Sequence, residues 1–355
     1  MTKDRTVTRK YHPGEYIKDA LEALDMTAKE FSLRTGISER MLSGIITGEC
    51  DITFDTAFKL SEYFGNSINF WTNLQNQYNA YLKEQEIADS IKTDWTLVKS
   101  IKKYLKDCRY IEESDDNQTI VLKARKLCGV NQLTLLDKKD LLVCFKEQSI
   151  TFGDSYFYQN FWIALALNEA RKKESKSFSK EKLEGSLNKI RQMTLMDADD
   201  FYPQLLNLFD DCGISFVLLP YLSKSNIYGV TKWLSRDNVV LSVSNRGEKA
   251  DLFWFTICHE IAHVLMEHKR EALMYINGLE DKAADIVAED ILIPRKEWNN
   301  FVTKTMYFTP NNIETFANKI GVHPCIVLGR LHKERRVPYG KYDQNFALSY
   351  KVVVD

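Results

Sequence analysis

Residues 259–263 read His-Glu-Ile-Ala-His, and this spacing constrains the chain more than any other feature. On an α-helix, positions i and i+4 share one face, so His259 and His263 can present two imidazole nitrogens to a single divalent ion. Glu260 stands beside the first of them, where a carboxylate can act as general base, taking a proton from water and passing it to a leaving amine. The flanks suit a buried helix: Phe253, Phe255, Thr256 and Ile257 precede the motif, and Ala262, Val264 and Leu265 follow. A core helix that happens to carry two histidines and a glutamate is the plainer reading. Three polar groups in an apolar setting are costly unless something satisfies them, and a metal would do so. Two imidazoles plus a carboxylate with one open position form a common catalytic zinc shell, so Zn2+ is the expected ion.

The third ligand has to come from elsewhere. His268 lies five residues past His263, and position 266 is Met where the three-histidine zinc-protease pattern needs Gly, which excludes that subclass. The better source is the next helix, expected over 279–292, whose packing face is Ala284, Val287, Ala288 and Ile291. Glu280 and Asp281 lie about one turn before that face, so either one can reach the ion. Asp285, a turn further on, is placed to orient a ligand imidazole from behind. For each carboxylate taken singly, ordinary first-turn use favoured by the helix dipole is an equal alternative.

The motif follows a run of strands. Residues 214–219 read as a buried strand ended by Pro220, and 227–234 and 239–243 as two more around the turn Arg236-Asp237-Asn238. The strand 239–243 or its neighbour is expected to offer an exposed edge along which a substrate could lie extended. Helices are expected around 313–320 and 324–331, and a last strand over 346–354. Tyr228, His323 and His332 are candidates for stabilising an oxyanion, with surface or capping use as the plainer role for each.

The first eighty residues have another character. Pro13 opens a helix with Ile17, Ala20, Leu21 and Leu24 on its buried stripe. Thr27 caps a second helix, with Glu30 completing a capping box, and Gly36 breaks it. Ser38 caps a third helix carrying Met41, Leu42, Ile45 and Ile46, which stops at Gly48. Thr53 starts a fourth helix and Ser67 a fifth. The domains are therefore 1–82, a helical spacer over 83–185 with no motif of its own, and 186–355. In the spacer, Lys99, Lys102, Lys103 and Lys106 share a helical face, which reads first as a solvated face and second as a nucleic-acid contact.

Composition bounds the rest. With 48 Lys+Arg against 49 Asp+Glu, the net charge of -1 points neither to nor away from a polyanionic partner. Hydrophobic residues at 44% exclude a largely disordered chain, and 15 Gly and 7 Pro leave few breaks, so the protein should be helix-rich. The apolar run 161–167 is too short for a membrane span, and 1–10 lacks the apolar segment that secretion needs. A cytoplasmic protein with no membrane partner is expected, its seven scattered cysteines reduced.

Taken together, Gly229-Val-Thr-Lys-Trp233, Phe253-Trp-Phe-Thr256, the His259–His263 motif, Ala284-Asp285, Leu292-Ile-Pro294 and the segment 323–331 resemble the ImmA/IrrE family of zinc metallopeptidases. That family's third ligand is a glutamate three residues before the alanine matching Ala284. Counted without gaps this is Asp281, and a one-residue shift makes it Glu280. The first domain resembles the HigA-type branch of the Xre helix-turn-helix proteins, relatives of the lambda-like phage repressors. The resemblance is carried by His12-Pro-Gly-Glu15, Gly36-Ile-Ser38, Ile46-Thr-Gly48, Ile52-Thr53, Ala57 and Phe70-Trp71 with Gln75 and Tyr78. The Gly36 turn lets the helix from Ser38 enter a major groove, with Arg40, Ser43, Gly44 and Thr47 as its outward, DNA-contacting positions.

The resemblances imply an α+β, helix-rich chain, in which an all-α lambda-repressor-like domain is followed by a zincin-like α+β metallopeptidase domain. They imply a transcriptional regulator or antitoxin-like protein that docks on operator DNA, pairs as a homodimer, and cuts a specific repressor or toxin. The rival is a non-catalytic antitoxin or transcription factor whose metal domain senses or recruits. Residues 1–82 hold 9 Lys+Arg against 11 Asp+Glu, an acidic balance that argues against simple repression.

Overall fold

The computed structural model describes residues 11–138, 156–174, 176–266 and 281–352, together with the backbone of 273–276. The chain divides into two compact units, Met1–Thr93 and Asp94–Asp355.

In the first unit, local capping chemistry sets the helix boundaries. The helices are α1 (Pro13–Ala23), α2 (Ala28–Thr35), α3 (Glu39–Thr47), α4 (Phe54–Phe64) and the start of α5 (Ile68–Asp107). Thr27, Ser38 and Thr53 each accept the backbone amide three residues on, as their positions predict. Gly36 and Gly48 end α2 and α3 with φ of 67° and 81°, a conformation other residues reach only with strain. The Glu30 carboxylate is engaged by Arg34 at 2.6 Å. Ile17, Phe31, Leu42, Ile45, Leu60 and Trp71 form the core, all fully buried. Gly14 lets α1 lie directly on α3, since a Cβ there would overlap the Ile45 carbonyl.

In the second unit, the rest of α5 is followed by α6 (Asn117–Cys128), a 3-10 turn (Leu133–Asp137), α7 (Phe157–Arg171), α8 (Lys180–Met193) and α9 (Ala198–Asp211). Next come β1 (Ile214–Leu219), β2 (Ile227–Trp233), β3 (Val239–Ser244), α10 (Ala250–Leu265) and β4 (Leu273–Ile276). Helices α11 (Lys282–Leu292), α12 (Arg295–Lys304), α13 (Pro310–Ile320), α14 (Pro324–Lys333) and α15 (Asp343–Phe346) complete it. The sheet order is β1-β3-β2-β4, with β1 parallel to β3 and β2 antiparallel to both its neighbours. Helix α10 packs on β2 and β3, with α11 and α14 against it. Its Trp254, Ile257, Cys258 and Ile261 are fully buried in one core with Phe216, Leu241 and Ala288.

Two expectations need correction. Strand β3 itself offers no exposed edge, because β1 occupies one side of it and β2 the other; the sheet's edges are β4 and β3's neighbour β1. The described part of 346–354 forms no strand beyond a single bridge between Lys249 and Ser349. A side chain anchors this tail instead: the Trp254 indole donates to the Tyr350 hydroxyl at 3.1 Å, and Tyr350 packs on Phe201 and Phe253. Among the described residues, no helix is long and apolar enough to cross a membrane, and six cysteines are free thiols.

Candidate functional site

Helix α10 carries His259, Glu260 and His263 on a face turned toward β2 and α11, and all three side chains are buried. The Nε2 atoms of His259 and His263 stand 3.1 Å apart. On the far side of the first ring, Nδ1 of His259 lies 3.0 Å from Asp285 Oδ1. A carboxylate can only accept, so this contact places a proton on Nδ1 and leaves the Nε2 lone pair directed at His263. Two nitrogens bound tetrahedrally at about 2.05 Å to one zinc would be about 3.3 Å apart, so the pair fits a divalent cation.

Asp285 is held in turn. Its second oxygen lies 3.2 Å from Lys333 Nζ of α14, which also reaches Glu289 at 3.2 Å and sits over the Phe255 ring. Burial works to raise the Asp285 carboxyl, but the His259 bond and the Lys333 charge outweigh it and hold it below the ordinary value. Asp285 thus links the His259 ring to the Lys333 ammonium.

Glu260 has the opposite setting. It is fully buried, its Oε2 accepts from the Thr231 hydroxyl at 2.6 Å, and its Oε1 has no hydrogen-bond partner among the described residues. Burial pushes its carboxyl up to about 8, against the pull of Thr231 and with the charge of Asp281 adding to the rise. Thr231 was not among the residues singled out by sequence. The sequence signals were the segment Gly229–Trp233, which carried part of the family resemblance without a role for Thr231, and the period of two along β2, which puts Gly229 and Thr231 on one face.

The residues expected to supply a third ligand have other placements. Glu280 and His268 lie outside the described residues. Asp281 is the N-cap of α11, its Oδ1 accepting from the amides of Ala283 and Ala284, each at 3.2 Å. Among the described residues, no group of three or more His, Cys, Asp or Glu side chains is gathered so as to hold an ion. The oxyanion candidates have other contacts: His323 caps α14, His332 lies 3.1 Å from the Lys341 carbonyl, and Tyr228 lies under Arg246.

In the first unit, Arg40, Ser43 and Thr47 are exposed along α3, the second helix of the turn. Gly44 is not outward as expected. It is buried, a Cβ there would lie 2.6 Å from Cys50 Sγ, and its carbonyl accepts the amides of Glu49 and Cys50. The chain curls back over this residue after α3, a tertiary contact that helical periodicity does not register.

A helix-turn-helix family model matches residues 17–71. An uncharacterized HTH-type transcriptional regulator of Escherichia coli (strain K12), YddM, is 32% identical over 75 residues, 21% of this chain and 80% of that protein. Virulence-associated protein A' of Dichelobacter nodosus is 34% identical over 85 residues, 24% of this chain and 74% of that protein. Among solved structures, an addiction module antidote protein of a HigA family from Coxiella burnetii is 32% identical. It covers 24% of this chain and 96% of its own, with a TM-score of 0.23. The Pseudomonas aeruginosa antitoxin HigA with higBA promoter is 28% identical, covering 24% of this chain and 95% of its own, with a TM-score of 0.23.

Proposed function

The chain belongs, through its amino-terminal unit, to the helix-turn-helix family, and from that premise we propose a two-part regulator: a first unit that docks on operator DNA, and a second that is a zinc-dependent endopeptidase acting on a specific protein such as a repressor or toxin. The single observation that carries the enzymatic half is the convergence of the His259 and His263 Nε2 atoms at 3.1 Å on a helix whose Glu260 carboxyl is also buried. His259 and His263 would hold the ion with Glu280 or Asp281 as third donor. When bound, it supplies Lewis-acid polarisation of the scissile carbonyl and of water.

The remaining chemistry belongs to the chain. Asp285 fixes the tautomer and plane of His259, so that Nε2 stays available as a donor. Glu260, buried and with Oε2 held by the Thr231 hydroxyl, takes a proton from the attacking water and delivers it to the departing amine. The apolar side chains around α10 keep bulk water from competing for these groups.

The DNA half is supported by the exposure of Arg40, Ser43 and Thr47 along α3 and by the relation to a protein named as a transcriptional regulator. Arg40 is the cation on that face, so phosphate or base-edge contact rests chiefly on it.

One experiment tests the enzymatic half: co-expression of the full chain with the proteins encoded beside its gene, followed by mass spectrometry for new chain termini. The parent should generate a new terminus in one partner, and Glu260→Gln should bind Zn2+ yet generate none. Equal cleavage by both proteins would remove the peptidase reading. Zinc binding with no cleavage by either would favour a domain that senses or recruits.

A further inference from the structure

Strand β2 presents two alternate residues to Glu260, and they treat its two oxygens differently. The Thr231 hydroxyl donates to Oε2 at 2.6 Å, with both residues buried. Two positions earlier there is no side chain at all. A Cβ at Gly229 would lie 2.5 Å from Oε1, 2.8 Å from Cγ and 2.9 Å from Cδ, distances that carbon atoms do not tolerate. Oε1 therefore occupies the space that a side chain at position 229 would fill, and it has no hydrogen-bond partner among the described residues.

We infer that β2 divides the labour of the Glu260 carboxyl: Thr231 fixes Oε2, the gap at Gly229 seats the group, and Oε1 is the atom that takes and returns the proton. This rests on the peptidase reading above. One oxygen anchored by a short hydrogen bond fixes the terminal torsion of the side chain, which is otherwise soft. The other oxygen must stay unengaged to receive a proton. In the step assigned to it, Oε1 takes one proton from water as the water oxygen bonds to the scissile carbonyl carbon. It then gives that proton to the amide nitrogen as the C–N bond breaks. Glu260 ends as it began, and one water has been added to yield a carboxyl and an amine. Thr231 and Gly229 touch none of the reacting atoms and act through Glu260 as positioning residues.

A bland alternative gives the Thr231 hydroxyl no role beyond satisfying itself in the core. The two accounts diverge for Thr231→Val, which keeps the shape and removes the donor, and for Thr231→Ser, which keeps the donor. The test uses the full-length protein with Co2+ as a spectroscopic stand-in for zinc, alongside the cleavage assay and Zn2+ affinity by chelator competition. Thr231→Val should shift the visible Co2+ absorption toward that of Glu260→Gln and cut cleavage on the order of 100-fold. Its Zn2+ affinity and thermal unfolding should stay at the parent values, and Thr231→Ser should restore both spectrum and cleavage. Gly229→Ala, which evicts Oε1, should match Thr231→Val in cleavage. A Thr231→Val protein with the parent's spectrum and cleavage overturns the inference while leaving the peptidase reading standing. A parent that takes up neither Co2+ nor Zn2+ is a different result: it brings down the metal site, and this inference with it.

Discussion

The carboxylate of Asp285 bridges an imidazole and an ammonium, with Oδ1 3.0 Å from His259 Nδ1 and Oδ2 3.2 Å from Lys333 Nζ. The ammonium holds the carboxylate, and the carboxylate holds the ring. A ligand imidazole without such a partner is free to rotate and to place its proton on the wrong nitrogen. Asp285→Ala should therefore weaken Zn2+ binding by about 10–100-fold, read by chelator competition, with little change in far-ultraviolet circular dichroism. Parent-like affinity would show that Asp285 does not orient His259.

Gly14 makes the corresponding prediction for the first unit. No Cβ fits between it and the Ile45 carbonyl, so α1 and α3 touch through backbone at this point. Gly14→Ala should force the helices apart and cost about 1–3 kcal/mol in denaturant unfolding of this unit. Because α3 carries Arg40, Ser43 and Thr47, the same variant should lose affinity in a mobility-shift assay on the upstream promoter. Arg40→Ala separates the two effects, since it should weaken binding and lower its salt dependence without loss of stability. Unchanged unfolding of Gly14→Ala would contradict the packing described.

What the sequence disclosed follows from how local each interaction is. Capping spans three residues, so Thr27, Ser38 and Thr53 could be placed from the chain alone. The i, i+4 relation of His259 and His263 is equally local. Helix α5, whose residues 68–107 contain neither Gly nor Pro, instead runs unbroken through the boundary expected at 82/83. Contacts across long separations left no such trace. Thr231 meets Glu260 over 29 residues, and the insertion of β3 between β1 and β2 depends on which strands compete for its sides. Gly44 looked outward by helical period but is covered by Cys50, and Tyr350 holds the tail by one side chain rather than by a ladder. Asp281 illustrates the ambiguity of a carboxylate in a first turn, where capping and ligation draw on the same residue type.

Asp94 and Arg125 form a buried ion pair that ties α5 to α6 and to the 3-10 turn. Arg125 Nε donates to Asp94 Oδ2 at 2.7 Å, and the same carboxylate accepts the amides of Leu133 and Thr134 at 2.9 and 3.3 Å. Removing the carboxylate takes from Arg125 Nε and from two backbone amides the acceptor they share in the interior. Asp94→Ala should cost about 3–5 kcal/mol in denaturant unfolding of the second unit. The double variant Asp94→Ala/Arg125→Met should recover part of that loss, because no charge is then left uncompensated. A double variant worse than the sum of the single ones would refute this account.

His12 should make the first unit sensitive to acid. It is the N-cap of α1, its Nδ1 accepting from the Gly14 amide at 2.9 Å, and its ring meets Tyr78 edge-on at 4.6 Å. Nδ1 can accept only while it carries no proton, and burial lowers the His12 pKa below its ordinary value, with Glu15 and Asp51 opposing. The folded state thus binds this proton less readily than the unfolded chain. The stabilising contribution is present in full above the unfolded value of about 6.5 and is lost as pH falls through the folded value. Hydrogen exchange of the α1 amides should accordingly rise, relative to the rest of the unit, as pH drops below about 6.5, after correction for intrinsic exchange rates. His12→Asn supplies a side-chain acceptor that does not titrate, so it should keep α1 capped at neutral pH and abolish the extra exchange in acid. If the Asn variant showed the same acid response as the parent, the proton responsible would lie elsewhere than on His12.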